Sequence, residues 1–200
     1  MGKEKYLNDV NELFKKSYVV NSSSISRLIR SKKNVKQYQR HLIRNLILKK
    51  KIKRLVKGFY TIYDDTSLSV LCFKPAYLGL HDALSFHELW EQETIPIIIT
   101  SKKIRPGIRI ILGMNVLIKV INKKYLFGFD YHEQNNFYLP YSDLEKTFID
   151  MIYFKQKISD EVIKDIIKKI DINKLNSYIK YYPKRFKKKV LNYLNKYNFI

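Results

Sequence analysis

Residues 34–62 read NVKQYQRHLIRNLILKKKIKRLVKGFYTI, and this stretch decides the fold of the N-terminal third of the chain. Its first half has apolar residues at helical spacing, so we expect a helix from about Val35 to Lys50. Its second half has apolar residues on both sides of Lys57-Gly58, which predicts two short strands joined by a turn at that pair. The sequence therefore predicts a helix followed directly by a basic hairpin.

The predicted helix has two different faces, because side chains advance by about 100° per residue. The side assigned to the core carries Val35, Tyr38, Leu42, Asn45, Leu46 and the stem of Lys49. The opposite side carries Lys33, Lys36, Gln37, Arg40 and Arg44. One face is thus expected to pack inward, and the other to present a cationic strip that includes one amide.

Two shorter helices are expected before this one. Residues 4–16 place apolar side chains at helical spacing, and residues 18–20 form an extended link. The polar run Asn21 to Ser24 offers caps for a short helix that carries Ile25, Leu28 and Ile29 inward. Residues 31–34 are then predicted to turn into the long helix. A short helix, a turn and a longer helix with a basic face fit a helix-turn-helix, and the hairpin that follows makes it a winged helix.

The positive charge of the chain is concentrated in this region. Lys and Arg number 39 against 18 Asp and Glu, giving a net charge of +21. Residues 1–63 carry +14, residues 64–150 carry −2 and residues 151–200 carry +9, and no Asp or Glu occurs from Leu13 through Tyr63. A lysine-rich coding bias explains many lysines but not a long stretch without carboxylates. The pattern favours a polyanionic partner, with nucleic acid first and an anionic membrane surface second.

We therefore expect double-stranded DNA to contact the cations and the amide of the helix and hairpin, which are Arg27, Lys32, Lys33, Lys36, Gln37, Arg40, Arg44, Lys53, Arg54 and Lys57. Arg and Gln can bond bidentately to guanine and adenine edges, whereas Lys mostly contacts phosphates. A solvated basic face is the alternative explanation of the same pattern. A membrane-surface helix is disfavoured because the outer face has no Trp, Phe or Leu to insert.

The remaining chain predicts a second, α+β domain. The polar run at 64–67 indicates a boundary, so the domains are predicted as 1–63, a winged helix-turn-helix, and 64–200, a small sheet with C-terminal helices. A helix is expected from His81 to about Gln92. The predicted strands are 95–100, 107–112, 116–121 and 126–131. Four helices are expected to follow, opening with a capping box at Ser142-Asp-Leu-Glu145, then at Ser159 or Asp160, near Leu175 and at Pro183.

Nothing in the sequence predicts an enzyme, a cofactor or a metal. His81 and His87 would point about 120° apart on one helix, unlike zinc-binding pairs at i and i+4. The side chains of Asp130, Glu133, Asp143, Glu145 and Lys146 leave a nuclease open as an alternative. However, Leu144 stands where such a site usually has an acid. The phosphate-binding glycine motifs are absent, and Cys72 is the single cysteine.

Localisation is expected to be cytoplasmic, without a membrane. The first residues lack the apolar region of a signal peptide, and a single cysteine suits a reducing compartment. An RNA-binding protein remains open as a further alternative to a DNA-binding one. The basic run Pro183-Lys-Arg-Phe-Lys-Lys-Lys189, on a last helix expected at about 184–197, is either a second backbone contact, a surface for an acidic protein, or a solvated face.

Three phrases give the chain a resemblance to the AbiEi-like antitoxins of type IV toxin–antitoxin systems. They are Leu55-Val-Lys-Gly-Phe-Tyr60, Tyr77-Leu-Gly-Leu-His-Asp-Ala-Leu-Ser-Phe-His87 and Leu144-Glu-Lys-Thr-Phe-Ile-Asp150. The second resembles the family's phrase that ends in an aromatic-His pair, and the third its Glu-Lys-x-hydrophobic-hydrophobic-Asp phrase. The likeness spans about residues 5–195. It departs at Glu88, where the family often has Gly.

The resemblance implies a transcriptional repressor that regulates its own operon. Its winged-helix domain would bind inverted repeats of double-stranded DNA upstream of that operon, with a dimer on the DNA as one arrangement. Its second domain would neutralise a co-encoded nucleotidyltransferase toxin as a functional partner, without stable toxin binding. These statements are expectations that follow from the resemblance. The operator, the toxin and the oligomeric state are not specified by the sequence.

Overall fold

The computed structural model describes residues 6–29 and 34–197, and it has a mixed α and β architecture. The chain divides into two compact units, which comprise residues 1–72 with 110–114, and residues 73–109 with 115–200. The boundary predicted after Tyr63 therefore falls inside the first unit. Within the described residues, no helix is both long enough and apolar enough to cross a bilayer.

The first unit contains three helices and a three-stranded sheet. In chain order its elements are α1 (Leu7–Lys16), β1 (Val20–Asn21), α2 (Ser22–Leu28), α3 (Val35–Leu48), β2 (Lys53–Val56), β3 (Phe59–Thr61) and a 3-10 helix (Thr66–Cys72). The sheet order is β1-β3-β2, with both pairs antiparallel. The predicted helix and hairpin are thus present, with α3 ending two residues before Lys50.

The last residue of the segment predicted as an extended link begins a strand. Val20 pairs with Tyr60 and Asn21 with Phe59, so β1 adds a third strand to the hairpin. Asn21 also caps α2, because its side chain accepts a hydrogen bond of 2.8 Å from the Ser24 amide. The turn predicted at 31–34 lies outside the described residues except for Asn34.

The core of the first unit is formed by one face of each of α1, α2 and α3 and by the inner face of the sheet. Its buried side chains are Val10, Phe14, Val20, Ile25, Ile43, Leu46, Ile52 and Tyr60. On α3 the prediction was wrong in part, since Asn45 and Lys49 are exposed and Ile43 is buried. Helix α3 is turned so that its inner face is centred closer to Ile43, because α2 and the hairpin pack there.

The second unit is built on a mixed sheet covered by helices, although residues 110–114, which include the ends of two strands of this sheet, fall in the first unit. Its elements are β4 (Ala76–Leu78), α4 (His81–Phe86), β5 (Ile97–Thr100), β6 (Gly107–Ile111), β7 (Met114–Val120), a 3-10 turn (Lys123–Tyr125), β8 (Phe129–Gln134), β9 (Phe137–Ser142), α5 (Leu144–Tyr153), α6 (Asp160–Lys169), α7 (Ile172–Ile179) and α8 (Lys184–Lys196). The strand order is β6-β7-β5-β4-β9-β8. Strand β4 runs parallel to β9, β5 parallel to β7, and the β4–β5 and β8–β9 pairs are antiparallel.

Two strands and several boundaries differ from the predictions. Strands β4 and β9 lie where no strand was expected, and α4 ends at Phe86 instead of Gln92. The capping box is also wrong, because Asp143 caps α5 by accepting from the Lys146 amide at 2.8 Å. Ser142 is the last residue of β9, and Glu145 is buried against α7.

The C-terminal helices form the larger core around α5. Helix α6 begins after Ser159, whose side chain accepts from the Val162 amide at 3.3 Å. Helix α7 is capped by Asp171, and α8 begins after Pro183. The apolar faces predicted for these helices are buried, for example Ile166 on α6 and Leu194 on α8. The α+β class with a sheet and C-terminal helices is therefore confirmed.

Candidate nucleic-acid interface

The outer face of α3 presents a stripe of cations at i, i+4 spacing. Lys36, Arg40 and Arg44 are exposed and lie on adjacent turns, with Gln37 and His41 beside them. At 1.5 Å per residue the stripe extends over about 12 Å of the helix axis. Together with Asn34 these residues line a shallow depression of about 540 Å³. The face is therefore a concave, cationic surface about one helix wide.

A groove of about 480 Å³ lies between the helix and the hairpin, and residues of both elements line it. Its cationic wall is formed by Lys36, Arg40 and Arg44 from α3 and by Arg54 and Lys57 from the hairpin. Its apolar part comprises Ile43, Ile47, Leu48 and Tyr60. Five of the predicted contact residues thus surround a single groove in the first unit.

The groove is held in shape by contacts between α2, α3 and the hairpin. The Gln39 side-chain amide donates a hydrogen bond to the Ser22 carbonyl, which connects α3 to the start of α2. The Ser22 amide donates to the Gly58 carbonyl at 2.8 Å, which connects α2 to the hairpin turn. Because both bonds end at Ser22, this residue fixes the spacing between the helix and the hairpin.

The hairpin turn depends on Gly58. Val56 pairs with Phe59, so Lys57 and Gly58 form a two-residue loop, and Gly58 has φ of +84°. A positive φ at the second loop position favours glycine, because a side chain there is strained. The register also shifts between Arg54 and Val56, a bulge that increases the local twist of β2. Lys57 therefore projects from the tip of a sharply turned hairpin and is exposed.

The cations of the groove are available for an external anion. Among the described residues, no ion pair involves Lys36, Arg40, Arg44, Arg54 or Lys57. Their mutual repulsion is therefore not offset by an ion pair within the described part of the chain. Bringing a polyanion to this surface would replace that repulsion with attraction.

The other predicted contacts are placed differently. Arg27 is exposed on α2, but it does not line the groove. Lys53 is half-buried and its ammonium pairs with the Asp64 carboxylate, so part of its charge is already neutralised. Lys32 and Lys33 lie outside the described residues. We therefore expect the groove cations to matter more than Lys53.

The sequence did not indicate two residues of these surfaces, one at the α3 depression and one at the groove. His41 is exposed beside Arg40, and Leu48 is 70% exposed at the end of α3. Leu48 continues the i, i+4 stripe that begins at Lys36, and following that spacing to the end of the helix would have found it. An exposed leucine beside arginines offers an apolar contact of the kind that a thymine methyl group makes.

Of the four carboxylates considered for a nuclease, two hold neighbouring elements of the second unit together and two lie exposed on a strand. Asp143 accepts from the Tyr178 hydroxyl at 2.8 Å, and Glu145 accepts from the Asp171 amide at 2.9 Å. Lys174 pairs with both carboxylates at 3.1 and 3.0 Å. Asp130 and Glu133 are exposed on β8. In the part of the chain that the structure describes, no three His, Cys, Asp or Glu side chains are grouped to hold a metal.

Lys146, the lysine considered for a nuclease, is also buried and paired inside the second unit. It is fully buried and its ammonium pairs with Asp150, which also accepts from the Tyr77 hydroxyl at 2.5 Å. The Tyr182 hydroxyl lies 3.2 Å from the same ammonium. Burial lowers the pKa of Lys146 and raises the pKa of Asp150, and their pairing acts against both shifts. The pair is thus enclosed, without a path to a substrate.

His81 and His87, the two histidines weighed as a metal pair, lie in separate surroundings. The His87 Nε2 atom is 2.8 Å from the Ser142 carbonyl, and the His81 ring packs on Trp90 at 4.6 Å between centroids. Partial burial lowers the pKa of each ring. Both rings are therefore held by packing and by backbone contacts.

Comparison with known proteins does not add a family. A scan against protein-family models finds no match, and a search of curated proteins finds no significantly similar one. The geometry and charge of the groove are therefore the features that indicate a function.

Proposed function

We propose that the first unit is a winged helix-turn-helix that binds double-stranded DNA in a sequence-dependent way. Helix α3 is the recognition helix and lies in the major groove, while the hairpin lies along the backbone as the wing. The observation that carries the proposal is the groove in which three α3 cations and two hairpin cations converge without carboxylate partners. A solvated face does not require this convergence of two elements.

The side chains of the groove divide into two kinds of contact. Arg40 and Gln37, at the centre of the exposed face, read base edges, because guanidinium and amide groups bond bidentately to guanine and adenine. Lys36, Arg54 and Lys57 surround them and bind phosphates, which positions the helix without reading sequence. Arg44 lies one turn beyond Arg40 and reaches either the next base or the backbone.

We further propose that the protein is an autoregulating repressor and antitoxin of the AbiEi-like kind, acting on inverted repeats upstream of its own operon. The support for this part is the resemblance of the three phrases. Glu88 has φ of +58°, and the Leu89 amide donates a hydrogen bond of 2.9 Å to the Leu84 carbonyl. This is a common way for a helix to end, and the residue with positive φ in it is usually glycine. The departure from the family pattern at this position therefore keeps the backbone geometry that a glycine would favour.

The test is binding of the full chain to duplex DNA from the region upstream of its own gene. Fluorescence anisotropy at fixed salt would compare that duplex with a scrambled duplex of the same composition. The proposal predicts binding at least about 1,000-fold tighter to the upstream duplex, the lower end of the range for sequence-specific proteins. Equal affinity for both duplexes would reject sequence-dependent binding and leave only a general polyanion surface.

A further inference from the structure

The first two turns of α8 carry cations in positions that destabilise the helix. Lys184, Arg185, Lys187, Lys188 and Lys189 are all exposed, and like charges at i, i+3 and i, i+4 repel each other. The same positions place positive charge at the N-terminal end, where the helix dipole favours negative charge. The first turn contains no acidic residue. The helix therefore bears a charge arrangement that stability alone does not explain.

Helix α6 of the same unit shows the arrangement that favours stability. It has Asp160 and Glu161 in its first turn, and Lys168 and Lys169 in its last turn. Lys168 also pairs with Asp165 at 2.8 Å. None of the ion pairs among the described residues, in contrast, includes Lys184, Arg185 or Lys188. A coding bias towards lysine would affect both helices alike, so the contrast points to an anionic ligand at α8.

An exposed aromatic side chain precedes these cations in the chain by three residues. Tyr181 is 65% exposed, and its ring is supported by Phe127, with 5.1 Å between the centroids. Lys180 and Lys184 flank it in the chain and are exposed, and chain geometry keeps their backbones within about 11 Å of that of Tyr181. A supported, exposed ring between cations provides a platform on which an unpaired base can stack while the cations bind its phosphates.

The surface continues along α8 in a shallow groove of about 360 Å³. It is lined by Lys189, Asn192, Tyr193 and Lys196. The Asn192 amide is exposed on the outer side of the helix and can both donate and accept hydrogen bonds. The 2′-hydroxyl of ribose has the same dual capacity, and it distinguishes RNA from DNA at a protein surface.

We propose that residues 180–196 form a binding surface for single-stranded RNA, separate from the duplex-DNA groove of the first unit. Tyr181 stacks on a base, Lys184, Arg185 and Lys188 bind phosphates, and Asn192 contacts a 2′-hydroxyl. A duplex is a poorer fit, because its stacked bases leave no open face for Tyr181. An acidic protein would satisfy the cations but would not use the exposed ring in this way.

The test measures anisotropy of a fluorescein-labelled 12-nucleotide uridine RNA, which has no secondary structure, with the full chain. Tyr181→Ala is expected to weaken binding about 5- to 100-fold, the effect of losing one stacked base. Tyr181→Phe keeps the ring and is expected to remain within about threefold of the wild type. The matched control is Tyr138→Ala, which removes a tyrosine that is 54% exposed on β9. Equal losses for Tyr181→Ala and Tyr138→Ala, or none for Tyr181→Ala, would overturn the proposal.

A salt series tests the cations. Replacing Lys184, Arg185 and Lys188 by Gln is expected to reduce the slope of log K against log salt by about 2, at roughly 0.7 per phosphate contact of a single strand. Replacing Lys103, Lys164 and Lys169, which are exposed elsewhere in the second unit, removes the same charge and should leave the slope unchanged. A common slope for both triple variants would contradict the assignment of these three contacts.

Competing ligands test the choice of RNA. The proposal predicts that a 12-nucleotide thymidine DNA, a 12-base-pair duplex and a 12-residue glutamate peptide each compete at least about fivefold less well than the uridine RNA. Equal competition by any of them would reject single-stranded RNA as the ligand of this surface. Arg40→Ala should leave uridine binding within about twofold, so that a failure of the DNA proposal is distinguishable from a failure of this one.

Discussion

Lys146 of the second unit and the cations of α3 show two opposite uses of positive charge. Lys146 is fully buried, and its ammonium contacts the Asp150 carboxylate and the Tyr182 hydroxyl, while the Tyr77 hydroxyl donates to the same carboxylate. Arg40 and its neighbours on α3 are exposed, and no carboxylate pairs with them in the described residues. The first charge is paired inside the fold, and we propose that the second binds a ligand. The comparison shows that the environment of a lysine or arginine, and not its abundance, indicates its role.

Removing the buried charge of Lys146 tests most strongly whether this charge stabilises the fold. Lys146→Met leaves Asp150 buried without its partner, and we expect the free energy of unfolding to fall by about 3–5 kcal/mol. Urea denaturation of the full chain measures this loss. Lys164→Met on α6, where the lysine is exposed, is the matched control and should change stability by less than about 0.5 kcal/mol.

A second variant separates the charge from the space it occupies. Lys146→Met combined with Asp150→Leu removes both charges, and we expect it to recover part of the loss, because apolar replacement of a buried pair is often neutral but the buried Tyr77 hydroxyl loses its acceptor. A double variant as unstable as Lys146→Met alone would mean that the pair contributes to stability through its charges. It would also contradict the view that an unpaired Asp150 causes the loss.

The tight packing around Lys146 predicts the next largest effect. Gly128 has φ of +68°, and a Cβ atom there would lie 2.8 Å from Tyr178 Cε2 and 2.9 Å from Lys146 Cβ. We expect Gly128→Ala to destabilise the chain by about 2–4 kcal/mol through backbone strain and overlap together. Gly113 has φ of +84° with no atom within 4 Å of the added Cβ, so Gly113→Ala isolates the strain. Similar losses in both variants would show that overlap contributes nothing.

On the exposed side, Arg40 should affect specificity more than any lysine. Arg40→Ala is expected to weaken binding to the upstream duplex by about 1–3 kcal/mol and to change the scrambled duplex much less. Anisotropy titrations with both duplexes measure the difference. A loss that is the same on both duplexes would assign Arg40 to the backbone and not to a base edge.

Replacing a single lysine of the hairpin should cause the smallest loss of affinity for duplex DNA. Lys57 is exposed at the turn, whereas Lys53 pairs with Asp64, so Lys57→Gln should weaken both duplexes alike and Lys53→Gln should weaken them less. Each effect is expected to be about 1 kcal/mol or smaller, as for a single phosphate contact. If Lys53→Gln has the larger effect, the ion pair with Asp64 opens when DNA binds.

The local parts of this fold could be predicted from the sequence. Helix α3 and the hairpin follow from residue periodicity and from the Lys57-Gly58 turn, both of which depend on neighbours in the chain. Strand β1 could not be predicted, because its two residues are extended only through pairing with Tyr60 and Phe59, about 40 residues later. Strand β9 contains Pro140, a residue that usually argues against a strand inside a sheet.

The candidate site could be predicted as a set of residues but not as a groove. The i, i+4 stripe of α3 indicates one exposed face, but its arrangement around one groove with Arg54 and Lys57 depends on how the hairpin folds back against the helix. The pairing of Lys53 with Asp64 was not visible either. Lys146 and Asp150 are at i, i+4 and could have been paired, yet their burial depends on Tyr77 and Tyr182, which are distant in the sequence.

The salt dependence of duplex-DNA binding tests the central claim most directly. The full chain and a variant with Gln at Lys36, Arg54 and Lys57 would be titrated with the upstream duplex from low to physiological salt. The account predicts that the variant's slope of log K against log salt is smaller by about 2–3, at roughly 0.9 per phosphate contact of a duplex. The triple variant of Lys103, Lys164 and Lys169 should keep the wild-type slope. Equal slopes for all three proteins would contradict the assignment of the groove as the DNA-binding surface.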